Sequence, residues 1–143
     1  MLAAQGKPYR ALFARPPRTR KLSCQRFTDL KVWQRSHALV LKLYPLAATF
    51  PASERFGLTS QLRRAVTSVP ANIAEGSKRQ GKADFARFLN IAEGSLAETE
   101  YFVLLARDLD YLPAERAKPL LTEIDEIARM LYALRTKVEQ TDR

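Results

Sequence analysis

Most of what catalytic chemistry requires is scarce in this chain. A single cysteine, Cys24, excludes an intramolecular disulfide and a cysteine-cluster metal site, and it fits a reducing compartment. His37 is the one histidine. A paired Glu-x-x-His metal site on two helices is therefore excluded, and residue 34, where such a motif needs glutamate, is Gln34. Cys24 has no histidine near it in sequence, so no nucleophile–base pair is read there. Gly-x-Gly-x-x-Gly does not occur. Gly76 to Lys82 spells Gly-x-x-x-x-Gly-Lys, but Ala83 stands where that phosphate loop needs Ser or Thr, so neither common phosphate loop is complete. The longest uncharged run, Leu43 to Ser53, is eleven residues with two prolines, against roughly 20 needed to cross a bilayer. No alternating strand pattern and no internal repeat is present. The inventory assigns no catalytic residue, no metal and no cofactor.

What remains is helical periodicity. At 143 residues the chain is long enough for one domain with a real core, and its 46% hydrophobic content is that of a globular protein. A first helix is expected from a Thr28 cap, with Leu30, Trp33, His37, Val40/Leu41 and Tyr44 as its apolar stripe. His37 on that stripe reads as partly buried and structural. Pro45 is expected to kink or end this helix. A second helix follows Pro51 with a Ser53 cap, and carries Leu58, Leu62, Ala65, Val69, Asn72 and Gly76 on its seam. Pro70 inside it implies a bend near Val66.

The third segment keeps two stripes, one through Phe85, Phe88, Ala92, Ser95, Thr99, Phe102, Ala106 and Leu109, the other through Leu89, Leu96 and Val103. That is wider than a single seam, which points to a second apolar contact outside one bundle core. Pro113 opens the fourth helix, where Leu120, Ile124, Ile127, Leu131, Leu134 and Val138 recur at steps of three and four. Short links force antiparallel neighbours. The expected fold is all-α, an antiparallel up-down-up-down four-helix bundle over 27–143, after a flexible basic extension over 1–26.

The net charge of +9 is unevenly spread. Residues 1–26 hold seven basic residues and no acid; residues 55–87 net +5; residues 88–143 net −4. An Arg-rich, acid-free N-terminus also has the composition of an organellar transit peptide, whereas Pro16-Pro17 suits an unstructured extension of the kind an over-called start site adds.

The basic set of the body is Arg55, Arg63, Arg64, Lys78, Arg79, Lys82 and Arg87. Three readings stay open for it: a solvated face, a surface for RNA or DNA phosphates, or contacts to subunits or a partner protein. Lys78, Arg79 and Lys82 crowd the second turn and are the best phosphate candidates. Arg63, Arg64 and Arg87 complete the candidate nucleic-acid set. No aromatic base-stacking motif interleaves with them.

Asn72, Glu75 and Glu98 form a candidate polar cluster. Either Asn72 hydrogen-bonds across the bundle to fix register, or the three line a polar pocket. Gly76 reads as a C-terminal cap and Gly94, within the third helix, as a site of close packing against another helix or a subunit.

Three segments, Gly57 to Ala65, Ser68 to Gly76 (Ser-Val-Pro-Ala-Asn-Ile-Ala-Glu-Gly) and Ile91 to Glu100 (Ile-Ala-Glu-Gly-Ser-Leu-Ala-Glu-Thr-Glu), closely resemble the four helix bundle protein family, also called the 23S rRNA intervening-sequence protein family. The resemblance runs from about Phe27 to Val138. It implies homopentameric rings, a cytoplasmic location and no catalysis. Some members are encoded within intervening sequences of bacterial 23S rRNA genes. A similar accessory protein of diversity-generating retroelements works with a reverse transcriptase and its RNA. The resemblance thus implies self-association with RNA, DNA or a partner protein as further ligands.

Overall fold

In the computed structural model residues 26–141 are described; the basic segment 1–25, with Cys24 and the extension expected there, lies outside them. The described chain forms helices α1 Lys31–Ala48, α2 Leu58–Ser77, α3 Lys82–Asp108 and α4 Ala114–Gln140, with no strand among the described residues. Cross-helix pairs fix the directions. Arg35 and Lys42 of α1 meet Glu126 and Glu123 of α4, Arg64 of α2 meets Glu98 of α3, and Glu93 of α3 meets Arg135 of α4. Gly76 against Phe88 and Lys82 against Thr141 add a second pair to α2–α3 and α3–α4. Tyr44 with Arg63 and Ala47 with Thr59 do so for α1–α2. In each couple the numbers rise on one helix as they fall on the other. The α2–α3 contact is the most extensive and the α4–α1 contact the sparsest. The result is the antiparallel up-down-up-down bundle expected.

The core draws on all four helices. Leu39 and Leu43, Leu62 and Ile73, Leu89 and Leu96, and Ile124, Ile127 and Leu131 are all buried. Each such side chain contributes about 1.5–3 kcal/mol on burial. In α4 the expected seam is the buried one. In α1 it is so only in part: Val32, Ser36, Leu39, Val40, Leu43, Leu46 and Ala47 face inward. Of the expected stripe Val40 is buried, while Leu30 and Trp33 are partly buried against the core. Leu41 is 62% exposed and Tyr44 41%. His37 is exposed too, its ring stacked on Trp33 at 5.1 Å rather than set into the core. Two apolar stripes share this helix, and the expected one leaves the core towards its C-terminal end, at Leu41 and Tyr44.

α3 departs from expectation in the opposite sense. Both of its stripes are largely inside: Phe88, Ala92, Thr99 and Ala106 are buried together with Leu89, Leu96 and Val103. One bundle core therefore accommodates them, because the small residues on the first stripe let α2 and α4 close in around it.

The helix starts are also displaced. A single 3-10 turn, Phe27–Asp29, occupies the place of the Thr28 cap, and α1 begins at Lys31. Ala52–Glu54 is another such turn, so α2 begins after Gly57 rather than at Ser53. α1 passes Pro45 and continues to Ala48, burying Leu46 and Ala47. The carbonyl that Pro45 leaves without a helical donor belongs to Leu41, itself an exposed residue. α3 ends in a Schellman arrangement: Tyr111 N donates to Ala106 O and Asp110 N to Arg107 O. Asp110 supplies the left-handed conformation, at φ 62°.

Gly76 is not a cap. It lies within α2, buried, where a Cβ would come 2.6 Å from Phe88 Cβ. Its bare backbone is what lets α3 approach α2. Gly94 is the reverse case: it is exposed and a Cβ there would meet nothing within 4 Å, so no helix among the described residues packs against it. No helix among the described residues is long and apolar enough to cross a membrane.

Candidate nucleic-acid interface

The six candidate cations separate into two groups. Arg63 and Arg64 sit in the first half of α2, while Lys78, Arg79, Lys82 and Arg87 occupy the α2–α3 turn, residues 78–81, and the start of α3. With about 1.5 Å of rise per residue, the groups lie roughly 20 Å apart along α2.

Arg63 and Arg64 are already engaged within the chain. Arg63 donates from Nη2 to the Tyr44 carbonyl at 3.0 Å and lies over the Tyr44 ring, with its Nε buried and unpartnered. Arg64 pairs with Glu98 at 2.8 Å and also donates to Gln61. Their guanidiniums stitch α2 to α1 on one side and to α3 on the other.

The turn is differently built. Lys78 is exposed and has no carboxylate partner among the described residues. Lys82 is exposed and donates to the Thr141 carbonyl at 3.2 Å. Arg79 pairs with Glu75 at 2.8 Å and Arg87 with Asp84 at 3.5 Å. These two pairs are on the open surface, where an ion pair is worth about 0–1 kcal/mol, so a phosphate can displace the carboxylate.

Beneath them lies a feature that sequence reasoning missed. The Phe88 ring carries both guanidiniums, Arg79 Cζ at 4.9 Å and Arg87 Cζ at 4.7 Å from its centroid. Phe88 itself is only 7% exposed. The signal available in the sequence was an aromatic next to Arg87, but Arg79 reaches it only because the turn folds back. At the same end, Arg135 of α4 is held by Glu93 at 2.6 Å and Glu139 at 3.0 Å. Hydrogen bonds to Glu93 first, and then to Glu139, raise its pKa above the ordinary arginine value.

The polar cluster does not assemble. Asn72 Nδ2 donates to the Ser68 carbonyl of its own helix at 2.8 Å, with no bond across the bundle. Glu75 turns to Arg79, and Glu98 to Arg64. Each of the three finds a nearer partner than the other two, so neither the register lock nor the pocket forms. Among the described residues no group of His, Cys, Asp and Glu is placed to hold a metal ion.

This geometry can be compared with that of known proteins. The chain is similar to a solved protein of unknown function from the S23 ribosomal protein family of Bacteroides thetaiotaomicron VPI-5482, with 28% identity and a TM-score of 0.68. The match covers 73% of this chain and 97% of that one. None of the curated proteins matches the chain. The model of the 23S rRNA-intervening sequence protein family matches residues 28–133. Spanning most of the bundle, that match shows that the chain belongs to the 23S rRNA-intervening sequence protein family.

Proposed function

We propose that this bundle is a non-enzymatic, cytoplasmic binder of structured RNA or duplex DNA, engaging backbone phosphates through Lys78, Arg79, Lys82 and Arg87. The observation that carries the reading is the concentration of four cations on one turn and the helix start beside it, with Lys78 paired to no carboxylate among the described residues. Phosphate contact is favoured over base stacking because Phe88 is buried beneath its two arginines, leaving no ring face for a base. Arg63 falls outside the contact because the Tyr44 carbonyl and ring hold it, and Arg64 because it lies with Arg63 roughly 20 Å from the turn. The ribosomal label of the solved relative belongs to that protein; here it supports RNA as the first ligand to try.

The test is fluorescence anisotropy of the full chain with a labelled RNA hairpin and a labelled DNA duplex. Changing Lys78, Arg79 and Lys82 together to Glu is expected to abolish salt-sensitive binding while helicity by circular dichroism stays the same. A triple variant that binds as tightly as the parent overturns the assignment.

A second reading concerns self-association, for which family resemblance implies a pentamer. The observation favouring it is the outer face of α3. Gly94 stands there in the open, with Ile91 and Tyr101 at helical spacing, 42% and 57% exposed. A mid-helix glycine costs about 1 kcal/mol relative to alanine, and nothing among the described residues requires it. Close approach by a second copy supplies the reason. This face, rather than Arg63 and Arg64, is where a subunit or partner protein would dock. Tyr101→Glu should lower the mass seen by light scattering; an unchanged oligomeric mass counts against the face.

A further inference from the structure

We infer that Phe88 is the positioning residue of the cationic turn, holding Arg79 and Arg87 in place for adjacent phosphates before any ligand arrives. The inference rests on the phosphate-binding reading above and deepens it. Arg79 and Arg87 belong to different elements, the turn and the second turn of α3. One ring brings them together: with both guanidinium carbons within 5 Å of its centroid, they lie at most about 10 Å from each other.

The ring is well placed for this. Phe88 is buried between α2 and α3, with its Cβ against the bare backbone of Gly76. A side chain so enclosed does not move when the surface charges exchange partners. Each arginine is further steadied by one exposed carboxylate, Glu75 or Asp84, that leaves part of its planar fork available. An arginine free in solvent loses rotamer freedom when it grips a phosphate, and a stacked one has already lost much of it. Phe88 thereby raises affinity without contributing charge.

The experiment uses the full chain and the labelled RNA hairpin of the preceding test, with anisotropy followed across a salt series. Phe88→Leu removes the ring but keeps the Cβ and the net charge. Affinity is expected to fall about fivefold, while the slope of log affinity on log salt stays unchanged because the same phosphates are neutralised. Arg79→Lys with Arg87→Lys keeps the charge, leaves the core untouched and should lose a similar factor. Adding Phe88→Leu to that pair should then do nothing more. The double-lysine variant keeps the test decisive if Phe88→Leu perturbs folding, which a thermal melt reports.

If Phe88→Leu costs as much in the double-lysine background as in the parent, the ring acts through the fold and not through the arginines, and the inference is overturned. Unchanged affinity of Phe88→Leu, with the triple Glu variant still inactive, overturns it while leaving the phosphate reading intact. A parent chain that does not bind the hairpin removes both.

Discussion

Gly76 and Phe88 meet across the α2–α3 interface so closely that a methyl group on Gly76 would lie 2.6 Å from Phe88 Cβ and 3.1 Å from Phe85 Cδ2. Neither helix backbone can yield without disturbing the largest contact in the bundle. Gly76→Ala sets a helix-propensity gain of about 1 kcal/mol against an overpacking cost of about 1–3 kcal/mol. The overpacking prevails, because the atom in the way is a buried Cβ rather than a flexible tip. A net loss of roughly 1 kcal/mol is expected, seen as a lower urea midpoint with the slope unchanged.

Gly94 makes the opposite prediction from the same substitution. Nothing lies within 4 Å of a Cβ there, so Gly94→Ala should stabilise the isolated bundle by about 0.5–1 kcal/mol at low protein concentration. In the self-association reading it should also weaken assembly, visible by light scattering at high concentration. Stabilisation with no change in mass would remove the α3 face as an interface. Destabilisation at low concentration would contradict the open surroundings of Gly94.

The charged pairs should not contribute equally. Arg135 and Glu93 are about four-fifths covered, with side chains 21% and 20% exposed, whereas Arg129 and Asp125 are 80% and 61% exposed. Arg135→Gln should cost about 1 kcal/mol and leave Glu93 without its partner, while Arg129→Gln should change stability by less than about 0.5 kcal/mol. Paired urea titrations measure both. Arg135 has its folded-state pKa raised, so its contribution is present below its ordinary pKa and is lost only as pH rises through the folded value. The difference between parent and Arg135→Gln should therefore hold steady across neutral to mildly alkaline pH.

The bundle was legible in the sequence wherever one apolar stripe stood alone. α4 shows this: Ile124, Ile127 and Leu131 recur without a competing stripe, and they are buried. α1 misled in part, because His37, Leu41 and Tyr44 continue the stripe of Leu30, Trp33 and Val40 as regularly as Val32, Ser36, Leu39 and Leu43 recur, yet lie exposed. Periodicity identifies a face but not what the face meets. The cations were legible as types and positions, yet their engagement was not. Arg64 finds Glu98 and Arg63 finds the Tyr44 carbonyl, partners 34 and 19 residues away in sequence. Gly76 looked like a helix end for a similar reason. Only the packing of α3 explains a glycine that keeps ordinary helical geometry.

The central claim is that the α2–α3 turn is a phosphate platform. Anisotropy of the RNA hairpin at low and moderate salt, comparing the full chain, a chain beginning at Phe27 and the Lys78, Arg79, Lys82 triple Glu variant, tests it most directly. The account predicts that the shortened chain still binds, that its affinity falls steeply with salt, and that the triple variant loses this salt-dependent binding. Binding by the full chain alone would assign the attraction to residues 1–26 and contradict the claim.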